Sequence, residues 1–158
     1  MPLMPVHPPE WIDTAPVAVT STVEIDADPM TVWGFIADHE NWPTWFTDLK
    51  KVERIGTGIG VGGGRRVTAG PATIDEIFTE WTPGEHFAFA ITKMPLPALR
   101  AMAESVTIVA EGDGCTVTYR QGLEPRRGFG RIVERVAAQM LGQTESALAN
   151  LKRLAEAG

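Results

Sequence analysis

The sequence predicts an α+β fold: a curved antiparallel sheet of about seven strands around one long C-terminal helix, with two short helices after the first strand. Three observations predict it. Segments with an apolar–polar period of two follow one another between turn residues. The last segment, from about Gly130 to Ala157, repeats apolar residues at three- and four-residue spacing, which gives a helix one apolar face. The connections between strands are short, which favours antiparallel neighbours.

In chain order, VAVTSTVEID at 17–26 places Val17, Val19, Val23 and Ile25 on one face of a half-buried strand. Asp28-Pro29 then supplies an N-cap and a proline for the first helical position. That helix carries Val32, Trp33, Phe35 and Ile36, and Asn41 with Pro43 opens a second short turn through Trp45 and Phe46. Strands are expected at Lys51–Ile55, Arg65–Ala69, Thr73–Trp81, His86–Thr92, Ser105–Ala110 and Cys115–Gln121. Thr82-Pro83-Gly84-Glu85 has the composition of a tight turn. KMPLPALR at 93–100 contains two prolines and is expected to be a loop. The terminal helix is on the order of 40 Å long, enough to cover the sheet's apolar face. Where sheet and helix part, a cavity is expected.

Residues 1–14, with four prolines in the first nine, are expected to form an extended N-terminal arm. Residues 15–158 are expected to be one ligand-binding domain. A net charge of −6 argues against nucleic acid, whose binding rests on phosphate neutralisation. Arg126, Arg127, Arg131 and Arg135 are assigned to a solvated helix face. No run of about 18 apolar residues is present, so no integral membrane association is expected. One cysteine and the lack of a basic-then-apolar leader point to the cytoplasm. Oligomeric state is left open.

The quoted segments resemble the SRPBCC superfamily of START-like, birch-pollen-allergen-like helix-grip proteins, in the branch labelled polyketide cyclase/dehydrase and lipid transport. The resemblance is carried by VEIDADPMTVWGFIADHENWPTWFTDLKKVE at 23–53, GPATIDEIFTEWTPGE at 70–85, GDGCTVTYRQGLEP at 112–125 and ESALANLKRLAE at 145–156. It implies an internal cavity shared among carriers, cyclases and sensors, with a helical gate at Trp45 and Phe46. It also implies that the glycine run GTGIGVGGG lies near the entrance. Gly58, Gly60 and Gly63 in that run have dinucleotide-site spacing, but a strand and not a helix follows, so no phosphate site is assigned.

The expected ligand-binding residues are Trp45, Phe46, Ile77, Phe87, Phe89, Ile91, Met94, Leu96, Val117, Tyr119, Val136 and Met140. Tyr119 or Arg120 is the expected polar anchor, depending on register. Asp75, Glu76, Glu80, Glu85 and His39 are assigned to turns and the outer sheet face. His7, His39 and His86 have no metal-ligand spacing, so no metal or cofactor is expected. No catalytic residue is assigned. The leading expectation is binding or transport of a small hydrophobic ligand of lipid, polyketide or isoprenoid type. A polyketide cyclase or dehydratase and a regulatory interaction domain are the alternatives. A titratable residue inside the pocket would favour the enzyme, and a purely apolar lining the carrier.

Overall fold

A computed structural model of the chain describes residues 3–158. Strand β1 (Val17–Ile25) is followed by helix α1 (Pro29–Ala37), and a 3₁₀ segment spans His39–Thr44. Six strands come next: β2 (Leu49–Ile55), β3 (Gly64–Ala69), β4 (Ala72–Thr82), β5 (His86–Lys93), β6 (Leu99–Glu111) and β7 (Gly114–Pro125). Helix α2 (Gly130–Ala157) ends the chain. The seven strands form one sheet in the order β1-β7-β6-β5-β4-β3-β2, every pair antiparallel. This is the helix-grip architecture.

Local chemistry sets the corners. Asp28 caps α1, its Oδ1 accepting from the Thr31 amide at 2.8 Å. In the β4–β5 turn Glu85 N donates to Thr82 O at 3.0 Å, and Gly84 takes φ 76°, a conformation that glycine adopts without strain. The Glu111–Gly114 hairpin likewise turns on Gly112 at φ 57°.

β6 begins at Leu99, well before the expected Ser105. LRAMAE reads as helix- or loop-forming, yet it pairs with β7 along its length and with β5 from Ala103 onward, and tertiary pairing outweighs propensity. The loop expected at 93–100 therefore shrinks. A bulge at Thr79 interrupts β4, where Phe78 pairs Phe89 and Glu80 pairs Ala88.

The outer face of the sheet centre is lined with small side chains: Ala88, Ala90, Ala101, Ala103, Ser105 and Gly122, all buried. The N-terminal residues cover them. Pro9–Thr14 coil into a 3₁₀ segment against β6 and β7, Ile12 is 1% exposed, and Met4 N donates to Thr92 O at 2.8 Å.

α2 has two halves. From Thr144 on, Thr144, Ala147, Leu148, Leu151 and Ala155 are buried against the sheet and α1. Earlier, Val136 and Met140 are only half-buried, and there the helix roofs a cavity.

Candidate functional site

The cavity has a volume of about 620 Å³ and lies between the concave sheet face and the first half of α2. Strand alternation supplies its apolar walls: Val67 from β3, Ile74 from β4, Phe89 and Ile91 from β5, and Met102 from β6. Val136 and Met140 form the roof, with Phe46 and Trp42 on one side. Thr47–Lys50, the Ala69–Ala72 turn, Met94, Gln139 and Gln143 also line it.

The interior is not purely apolar. Arg65, only 1% exposed, donates from Nε to Glu76 Oε1 at 2.5 Å and from Nη1 to His39 Nδ1 at 3.1 Å. Its guanidinium carbon sits 3.9 Å from the centre of the Trp42 ring and 4.8 Å from that of Phe89. Because arginine can only donate, His39 Nδ1 is the acceptor and the ring proton lies on Nε2, which is buried without a partner among the described residues. Burial, then the nearby Arg65 and Arg54 charges, hold His39 neutral with its pKa lowered to about 2.

Beside this pair stands Glu104, 6% exposed. Its Oε1 accepts from Tyr119 Oη at 2.7 Å and from Gln121 Nε2 at 3.2 Å, and Gln121 in turn accepts from Thr144 of α2 at 3.3 Å. Burial, then repulsion from Glu76, raises the Glu104 carboxyl to about 7. Burial also pushes Glu76 up, with Arg65 acting against it, and it holds Tyr119 well above the usual phenol range. The cavity thus contains a carboxyl that changes charge near neutrality, beside a phenol and a fixed cation.

Of the expected ligand-binding residues, Phe46, Phe89, Ile91, Met94, Tyr119, Val136 and Met140 are brought to the cavity. Five others sit elsewhere. Trp45, 1% exposed, packs behind Trp42 with ring centres 4.4 Å apart, so it is core and not a gate. Phe87 lies behind Phe89 among Phe78, Trp81 and His39. Val117 is buried in the core on β7, and Leu96 is half-buried outside the cavity. Ile77 is a correction of parity. Counting back from Trp81 in twos points it inward, but the Thr79 bulge reverses the faces, so Ile74, Glu76 and Phe78 point in and Ile77 sits opposite Ala90 on the outer face.

Tyr119 faces inward, and Arg120 faces outward to pair with Asp13 at 2.7 Å. Glu76 and His39, expected on the surface, are buried. The glycine run is not part of the cavity lining; Gly62 N donates to Phe78 O at 3.0 Å and Phe78 N to Gly63 O at 2.8 Å, pinning it to β4. The Ala69–Ala72 turn borders the cavity instead.

The family model described as polyketide cyclase/dehydrase and lipid transport matches residues 16–156. The chain belongs to this family. It is 31% identical over 111 residues to an uncharacterized protein of Mycobacterium tuberculosis and to one of Mycobacterium bovis. That match covers 69% of this chain and 66% of each relative, just under two thirds of their length. Among solved structures, a START superfamily protein of Mycobacterium smegmatis superposes with a TM-score of 0.70 at 17% identity, covering 87% of this chain and 97% of that one. Norcoclaurine synthase from Thalictrum flavum superposes with a TM-score of 0.72 at 18% identity, covering 87% and 92%. These likenesses show the fold. Family and fold fit a hydrophobic-ligand-binding domain, and no helix among the described residues is long and apolar enough to cross a membrane.

Proposed function

We propose that the cavity binds a small hydrophobic molecule of lipid, polyketide or isoprenoid type. The observation that carries this reading is the cavity itself. At about 620 Å³ it falls in the range of small-molecule sites, roughly 300–1,000 Å³, and its walls are Val67, Ile74, Phe89, Ile91, Met102 and Met140. Such walls favour an apolar body by removing its surface from water.

The test is saturable fluorescence enhancement of N-phenylnaphthylamine, a neutral apolar dye, compared with the Met140→Trp variant. Met140 is half-buried on the roof, so a larger ring there fills the cavity without entering the tightly packed half of α2. Dye affinity is expected to fall at least about tenfold while the melting temperature stays within a few degrees. Absence of saturable binding, or equal affinity in the variant, contradicts the reading.

Glu104 and Tyr119 favour a second reading, a cyclase or dehydratase acting in the same cavity. A carboxyl near 7 is suited to proton transfer at neutral pH. The two readings part on the fate of the ligand, which a carrier returns unchanged and an enzyme returns as a different molecule.

A further inference from the structure

We infer that the ligand carries a protonated nitrogen, as in a long-chain or aryl-alkyl amine, and that Glu104 is the group that receives it. The inference rests on the cavity reading above and adds the chemistry of one end of the ligand. It starts from a count of charges. The buried interior presents two carboxyl groups, Glu76 and Glu104, against one cation, Arg65. That cation is already engaged by Glu76 and His39 and stacked on Trp42. His39 is neutral and contributes no charge. Asp48 and Lys50 also line the cavity, but both are exposed and of opposite sign. Arg65 offsets Glu104 only from a distance, so among the described residues one buried carboxyl is left without a counter-ion of its own.

Its geometry is equally incomplete. Glu104 Oε1 is held by Tyr119 and Gln121, and no donor among the described residues reaches Oε2. Glu104 lines the cavity, so a bound molecule can meet that free oxygen. A carboxylate ligand would face two acidic groups with the only guanidinium committed elsewhere. A hydroxyl could donate one hydrogen bond but would leave the charge unmatched. An ammonium group supplies both the donor and the missing positive charge, and a charge-assisted hydrogen bond is about twice as strong as a neutral one. Phe89, Ile91 and Met102 flank the site and would take the apolar remainder.

The experiment is competition against bound N-phenylnaphthylamine by decylamine, decanol and decanoate, which share one chain length. At about pH 8, where an alkylamine is protonated and Glu104 is ionised, decylamine is expected to compete at least about tenfold more tightly than decanol, with decanoate weakest. Near pH 5.5 Glu104 holds its proton, and the amine-to-alcohol ratio is expected to contract to within about threefold. In Glu104→Gln the ratio is expected to contract at both pH values. Should that variant not fold, the pH dependence of the unaltered protein decides alone. A dye that binds and is displaced by decanol as well as by decylamine overturns this inference and leaves the cavity reading intact. If the dye does not bind at all, both fall.

Discussion

Glu104 costs the folded state stability near neutral pH, and the sign of that cost follows from its surroundings. An ordinary glutamate loses its proton near 4.5, whereas Glu104 in the fold holds it to about 7. Below 4.5 both states are protonated and the group contributes nothing. Between 4.5 and 7 the unfolded chain ionises and the folded one does not, so stability falls as pH rises, and it levels off above 7. Glu76 is pushed in the same direction. His39 opposes them: buried and neutral, it costs stability as pH falls below 6.5. The difference between Glu104→Gln and the unaltered chain reports the Glu104 contribution together with the repulsion it exchanges with Glu76. We expect the variant's melting temperature, relative to wild type, to be several degrees more favourable at about pH 8 than at about pH 5, a few kcal/mol in scale. A difference that does not change with pH, measured by calorimetry, contradicts this assignment.

At the scale of elements, the N-terminal segment is a structural part of the sheet. A Cβ added at Gly122 would lie 3.1 Å from Ala15 Cβ and 3.2 Å from Ile12 Cα, so the arm seats closely over bare backbone there. Gly122→Leu is expected to lift the arm at a cost of about 1–3 kcal/mol. The measurement is hydrogen exchange at Ile12 and Ala15, whose amides should lose protection while β1 and β7 keep theirs; unchanged protection contradicts the packing. The sequence made the elements legible wherever one pattern ruled. β1, α1 and α2 follow directly from alternation, a capping pair and a three-four period. The start of β6 did not, because LRAMAE carries no strand propensity and its alanines are small to fit beneath the arm. The packing of the arm itself was hidden for the same reason: alanine and glycine leave no apolar stripe to mark a covered face.

Across the whole molecule, one helix performs two tasks, closing the core with its second half and roofing a cavity with its first. The aromatic wall of that cavity was readable, since Phe89 and Ile91 alternate on a strand and Met140 lies on the helix's apolar side. The polar interior is not, because charged residues are usually exposed: Glu76 and His39 are assigned outward by type, and nothing singles out Arg65 or Glu104. A positional signal was nevertheless present. Arg65 shares parity with Val67, Glu76 stands between Ile74 and Phe78, Glu104 between Met102 and Val106, and Gln121 between Tyr119 and Leu123. A polar residue at an inward position on four strands marks a site more clearly than any one of them alone.

The central claim is that this cavity takes up a small hydrophobic molecule, and native mass spectrometry tests it most directly. The purified protein is measured before and after incubation with a panel of lipids, polyketides and alkylamines, with Met140→Trp in parallel. The account predicts a discrete one-to-one adduct that organic solvent extracts and that the variant fails to carry. A bare protein mass throughout the panel, or an adduct equally present in the variant, would contradict it.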